Sequence, residues 1–258
     1  MECVFLADPE TAAVLQALLP TRKVSAENIP ATVLLPSQEN LLYISHQCAK
    51  LTPMDTVIPR TTKSELTLAA IVDTALEMAA AEGLESLSLG EVAKRLNISK
   101  SGVFSRVGSR EALQQAVLDE FDRRFVEEIF KPAMTLPRGL PRLNSMIRNW
   151  LRRTNDEVSC IYIAGAFEYD DMDSPMRERI KKNILQWRGM LHRTVEQALE
   201  EGQLRPDTDP EQLVFELYCL MVGLMHDARF LRDPKALERV QTAYDRLIST
   251  YRSFNYHG

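Results

Sequence analysis

The chemistry most legible in this sequence lies between Ser88 and Leu113, SLGEVAKRLNISKSGVFSRVGSREAL. From Lys94 to Arg110 it holds five basic residues (Lys94, Arg95, Lys100, Arg106, Arg110) and no acidic one. Cations of this kind neutralise phosphate, and arginine also reads the edge of guanine. The whole chain carries a formal net charge of -5, so the local reversal of sign is informative. A basic stripe alone is more often a solvated helix face. What changes the reading is the arrangement that carries it.

That arrangement is two short helices joined by a tight turn, with a third opening behind them. Ser88 caps the first, and Glu91 completes an S-x-x-E capping box. Val92, Ala93 and Leu96 give it an inward face, and small Ala93 lets a second helix cross closely. Asn97 tolerates the left-handed backbone that a sharp reversal requires. Ile98 plugs the junction, and Ser99 caps the helix that begins at Lys100. Gly108 breaks the chain, and Ser109 caps the following helix, with Glu111 at its positive end. This is helix-turn-helix spacing, which places the basic stripe on a DNA-reading element.

The surrounding chain must hold that element. Leu68, Ile71, Val72, Ala75, Leu76 and Ala79 recur at three- and four-residue steps, predicting a helix from Ser64 that ends at Gly83. It backs the helix-turn-helix and completes a three-helix domain. Leu113, Val117, Phe121, Phe125 and Ile129 predict a long helix from Ser109 to about Lys131, followed by Pro132. Further helices are expected over 140–153, 174–201, 209–231 and 234–251. The stretch Ser159–Tyr169 is so continuously apolar that periodicity alone leaves helix or strand open; its helical neighbours favour helix. The fold class is therefore all-α. The domain reading is an N-terminal extension over 1–62, a helix-turn-helix domain over 63–110 and an all-helical ligand-binding and dimerisation domain over 111–258.

Composition bounds the rest. At 45% hydrophobic and 26% charged, the 258 residues suit a globular protein with one large or two modest cores. No apolar run reaches the ~20 residues a membrane helix needs, so no membrane partner is expected. Cys3, Cys48, Cys160 and Cys219 are far apart, which suggests reduced thiols in a cytoplasmic protein rather than a disulfide framework or zinc site. Residues 1–62 lack sustained periodicity beyond one short helix after Asp8. They read as an extra element, a flexible arm or an over-extended reading frame. No phosphate loop, dinucleotide fingerprint, H-E-x-x-H pair or nucleophile elbow occurs, so neither an enzyme nor a cofactor is expected. The acidic cluster Glu168, Asp170, Asp171 and Asp173 lacks calcium-loop spacing and reads as a solvated turn, and no metal is expected.

The run from about Leu68 to Phe121 resembles the N-terminal domain of the tetracycline-repressor (TetR) family of one-component bacterial regulators. The likeness rests on the helix ended by Gly83, on L-S-L-G-E-V-A-K-R-L-N-I-S-K-S-G-V-F-S-R-V and on G-S-R-E-A-L. It implies a recognition helix over Ser99–Val107, so the DNA-facing candidates are Ser88, Ser99, Lys100, Ser101, Gly102, Val103, Phe104, Ser105, Arg106 and Arg110. Phe104 stands where tyrosine is usual, which leaves it to pack or to meet a thymine methyl. Arg110 matches a phosphate clamp. Gly90 and Gly102 replace common polar residues.

The resemblance further implies a homodimer on a palindromic double-stranded operator, released when a small-molecule effector binds the C-terminal domain. Trp150, Tyr162, Phe167, Trp187 and Met190 are candidates to line an apolar cavity for a hydrophobic or aromatic effector. The last two helices are the dimer candidates, in particular the one bearing Leu213, Leu217, Leu220, Met221 and Leu224; a helix buried within one chain is the alternative. The rival to DNA binding is an all-helical interaction module whose helix-turn-helix serves packing.

Overall fold

The computed structural model describes residues 63–156 and 160–256, so the expectations for residues 1–62 lie outside it. The described residues form ten α-helices and two π-helical turns. Helix α1 (Lys63–Glu82) buries Ile71, Ala75, Leu76 and Ala79 of the stripe its spacing predicts, together with Met78, whereas Leu68, nearer the helix start, is exposed and Val72 half-buried. It stops at Gly83, whose φ of +96° lies in the region that disfavours side chains. Helices α2 (Leu89–Arg95) and α3 (Lys100–Val107) follow. The Ser88 hydroxyl accepts from the Glu91 N–H at 3.2 Å and the Ser99 hydroxyl from the Gly102 N–H at 3.0 Å. Asn97 takes φ 53° at the reversal. Val92, Ala93 and Val103 are buried with Leu84, Leu87, Leu113 and Val117 in one core. Each large apolar side chain buried there contributes about 1.5–3 kcal/mol, far more than any surface ion pair nearby.

Helix α4 (Arg110–Phe125), capped by Ser109, leaves this domain and enters the next. The helical path does not stop before Pro132. A π-helical turn (Val126–Phe130) leads directly into α5 (Lys131–Met134). Proline lacks an N–H and its ring clashes with the carbonyl four residues back. The wider turn, in which the Lys131 N–H bonds the Val126 carbonyl five residues back, accommodates it.

The C-terminal domain comprises α6 (Leu140–Asp156), α7 (Ile161–Glu168), α8 (Pro175–Glu200), α9 (Pro210–Met225), a π-helical turn (His226–Phe230) and α10 (Ala236–Tyr251). The ambiguous apolar run is thus a helix. Gly165 lets it approach α8, because an added Cβ would lie 3.0 Å from the Ile180 side chain. Helix α8 is central and packs on α6, α7 and α9. Leu213, Leu217, Met221 and Leu224 are each at most 1% exposed within the single chain. That corrects their expected place at a dimer interface: α8, α6 and α10 already consume that face of α9. Leu220 alone of the five is half-buried.

Candidate DNA-recognition surface and interior cavity

The two short capped helices present α3 outward. Lys100, Ser101, Phe104, Ser105 and Arg106 are exposed, and Gly102 is half-buried. Phe104 is 57% exposed, which removes the packing option and leaves its ring free for apolar contact. Val103 is fully buried and belongs to the core, a correction to its DNA-facing reading that follows from the helical period, which turns it away from the exposed Ser101 and Ser105 two positions to either side.

The five cations of the basic stripe divide by partner. Arg95 pairs with Glu82, Lys94 weakly with Glu91 at 3.7 Å, and Arg110 with Glu85 at 2.9 Å. Lys100 and Arg106 have no acidic partner among the described residues; Arg106 donates only to the Gly102 carbonyl at 2.8 Å. Arg110 is not a free clamp. Its Nε donates to the Leu87 carbonyl at 2.8 Å and its Nη2 to the Glu85 carbonyl, so it staples the α1–α2 loop to α4. Sequence alone missed this because the loop carbonyls that hold it have no signature.

The same loop is gripped from the other domain. Glu168, the last residue of α7, accepts from the N–H groups of Leu84 at 3.3 Å and Glu85 at 2.9 Å. Tyr169 donates to the Glu85 carboxylate and accepts at 3.2 Å from Gln114 of α4, which also donates to the Leu84 carbonyl. The Tyr169 hydroxyl, then Arg110, holds Glu85 below its ordinary pKa. The acidic cluster that read as a solvated turn therefore contributes one residue, Glu168, to the contact between domains.

The other end of α7 borders a cavity of about 290 Å³ between α4, α6, α8 and α9. Trp150, Tyr162, Trp187 and Met190 line it as the sequence suggested. Phe167 does not: it faces outward at 67% exposure, five positions along α7 from Tyr162 and off its inward side. Phe121, Phe125, Phe130 and Tyr218, which the sequence reading left as plain core or unassigned, complete an aromatic wall. Phe125 meets Trp187 edge-on at 4.9 Å and Phe121 meets Tyr162 at 5.4 Å.

One end of the cavity is polar. Asp122 of α4 accepts from the Tyr162 hydroxyl at 2.7 Å, from Asn183 Nδ2 at 2.9 Å and from Arg179 Nη2 at 2.9 Å. Burial, the largest influence, raises the Asp122 pKa, while these donors oppose the shift. Burial likewise raises Tyr162. This cluster joins α4, α7 and α8 at one point. Among the described residues no group of His, Cys, Asp and Glu is arranged to hold a metal ion.

On the outer side of α8 and α9 lies apolar surface with no partner among the described residues. Leu185 is 56% and Phe215 53% exposed, with Cys219 exposed one turn beyond Phe215. An added Cβ at Gly223 would meet nothing within 4 Å.

Two family models match this chain. Residues 71–117 match the bacterial regulatory proteins of the tetR family, and residues 139–244 match the tetracyclin repressor-like C-terminal domain. No curated protein sequence matches it. Solved structures share the fold. A TetR transcriptional regulator from Chloroflexus aurantiacus J-10-FL superposes with TM-score 0.64 at 21% identity, over 74% of this chain and 98% of that one. A TetR-family regulator from Cytophaga hutchinsonii gives 0.62 at 19%, over 75% and 98%. The ketosteroid transcriptional regulator KstR2 of Mycobacterium tuberculosis gives 0.56 at 17%, over 72% and 95%. With a helix-turn-helix whose second helix stands exposed and a helical second domain matched by the family's own model, the chain belongs to the TetR family of DNA-binding transcriptional regulators.

Proposed function

We propose that this regulator is a homodimeric repressor that leaves a palindromic operator when a small apolar or aromatic effector occupies the α4–α6–α8–α9 cavity. The observation that carries the reading is the geometry of α7. Its first turn lines the cavity through Tyr162, and its last residue, Glu168, holds the loop that supports α2 and α3. A ligand that parts Tyr162 from Asp122 displaces α7 against α4, and Glu168 and Tyr169 carry that displacement to the loop Gly83–Leu87. To act, the ligand must bind the released arrangement more tightly than the DNA-bound one.

On this reading Lys100, Arg106, Phe104, Ser101 and Ser105 face the major groove, with Ser88 and Ser99 at the helix starts near phosphate. The helix-turn-helix domain is 63–110, and the effector and dimer domain is 111–258. Dimerisation uses the outer face of α8 and α9, Leu185 and Phe215 with the open Gly223, rather than the inward leucines. The two recognition helices of such a dimer meet half-sites about one helical turn, ~34 Å, apart.

The test is selection of bound sequences from random duplex DNA by the purified protein at low and high salt. A palindrome recovered at low salt and lost as salt rises supports the reading, since phosphate contacts release counterions. Recovery of nothing above background, at either salt concentration, overturns it.

A further inference from the structure

The cavity has a closed polar end and an open apolar one, and the difference selects what fills it. It follows α8 from Asn183 to Gly189, six residues or about 9 Å of helix. At the Asn183 end the lining residues Phe121, Asp122, Tyr162 and Asn183 are all buried. At the other end Gln186 and Gly189 are exposed, and a Cβ added at Gly189 would meet nothing within 4 Å. Glycine inside a helix is less stable than alanine, and here neither a positive φ nor a close neighbour requires it. What it leaves is room beside the α8 backbone at the cavity mouth.

Of the described residues that line the cavity, Asp122 carries the one ionic group, and Arg179 already neutralises it at 2.9 Å. A charged ligand therefore meets no free countercharge at the closed end and loses its hydration with nothing to replace it. The Tyr162 hydroxyl lies between two of the polar groups there, donating to Asp122 and accepting from Asn183. A molecule that parts Tyr162 from Asp122 must give the buried carboxylate another hydrogen, since an acceptor left short in the interior costs more than the lost bond contributed. An ether or a ketone has no hydrogen to give, and a carboxylate repels Asp122 as well. An ammonium has one, but sets a second cation on a carboxylate that Arg179 already holds. A hydroxyl gives one hydrogen and accepts another, the same exchange the phenol makes. We infer that the effector is an uncharged apolar alcohol, its hydroxyl taking the place of the Tyr162 hydroxyl between Asp122 and Asn183 and its hydrocarbon body running along α8 past Trp187 to Gly189. This rests on the cavity being the effector site, and it adds the chemical class of what enters.

The chain contains two tryptophans, Trp150 and Trp187, and both line the cavity, so intrinsic fluorescence follows occupancy. The experiment titrates full-length protein at neutral pH with octanol, with its methyl ether and with octanoate. Octanol is expected to bind at least about fivefold more tightly than the ether, the effect of one hydrogen bond, and more tightly than octanoate as well. Tyr162→Phe keeps the ring and frees the place at Asp122, so octanol affinity should rise several-fold while that of the ether stays, and the preference widens. A change in cavity size alone would move both ligands alike. Equal binding of octanol and the ether in the wild type, or octanoate as tight as octanol, overturns the hydroxyl assignment and leaves the cavity standing. A preference that shrinks in Tyr162→Phe overturns it too. If none of the three changes the emission, the cavity reading falls together with this one. Should Tyr162→Phe not fold, the wild-type comparison of the three ligands decides alone.

Discussion

The carboxylate of Glu168 accepts the backbone N–H of Glu85 at 2.9 Å, across 83 positions of sequence and from one domain to the other. Gly83 makes the approach feasible twice over. Its φ of +96° turns the chain out of α1, and an added Cβ would lie 2.8 Å from Glu168 Oε1. Glu168→Ala is expected to leave the fold intact and cost about 1–2 kcal/mol, the net worth of two hydrogen bonds to a charged acceptor at a partly exposed site. The check is amide hydrogen exchange: Leu84 and Glu85 should lose protection while α9 and α10 do not. Unchanged protection at Leu84 and Glu85 would refute the clamp.

Arg110 and Lys100 should respond in opposite ways, although sequence lists both as DNA cations. Arg110→Ala removes a staple of the α1–α2 loop and is expected to lower the melting temperature, with a cost of roughly 1–3 kcal/mol for the carbonyls left unpaired. Lys100→Ala and Arg106→Ala touch no core residue and should leave melting unchanged. Each should weaken operator binding and, where the lost contact is to phosphate, reduce the salt slope by about 1. Melting curves and salt-dependent titrations of the three variants separate the roles.

The contrast marks what the sequence could convey. Serines 88, 99 and 109, Asn97 and glycines 83 and 108 act locally, on backbone within a few residues, so their spacing alone gave caps and turns. Apolar period gave the helices and most of the core. What stayed hidden were relations between distant segments: Arg110 with the Leu87 carbonyl, Glu168 with the Glu85 N–H, and Asp122 between Tyr162 and Asn183. Phe167 and Tyr162 look alike in sequence, yet one faces out and the other lines the cavity. On α9 the inward stripe was visible, but sequence could not tell whether α8 of the same chain or of a second copy covered it.

Acid should loosen the loop through Glu85. Its pKa is depressed in the folded chain, so its contribution is complete above the unfolded value of 4.5 and is lost as pH falls through the folded value. The difference in melting temperature between wild type and Glu85→Gln is therefore expected to be flat at higher pH and to shrink below about 4.5. A difference that grows on acidification would contradict the Tyr169–Glu85–Arg110 arrangement.

Arg153→Met should stabilise the protein. It replaces a guanidinium with two unpaired buried nitrogens by an apolar side chain of similar length against Phe121. Such replacements are commonly neutral to stabilising, by about 1–4 kcal/mol, whereas loss of an ordinary packed residue destabilises. The ion pair forfeited with Glu128 is small, because that carboxylate is half exposed. Denaturant midpoints at constant slope provide the measurement. A midpoint that falls by the amount typical of a core truncation would mean that Arg153 is held by its surroundings after all.

The last prediction concerns the outer face of α8 and α9. Leu185 and Phe215 leave apolar area in water on two helices that pack together, and Gly223 leaves room for a close second surface. A two-fold axis through this face buries each patch against its copy, and it needs no residue that the protomer core already uses. Phe215→Glu places a charge opposite its own copy across that axis, so it is expected to yield monomers that retain the wild-type helical content and melt as a folded domain. Operator affinity should then fall far more than the loss of one side chain explains, because two half-sites are no longer bound together. Sedimentation measures the first effect and titration with a single half-site the second. The half-site affinity should be unchanged by Phe215→Glu, since α3 is untouched. A variant that stays dimeric would move the interface elsewhere, and one that loses half-site binding as well would show that the substitution had damaged the fold rather than the assembly.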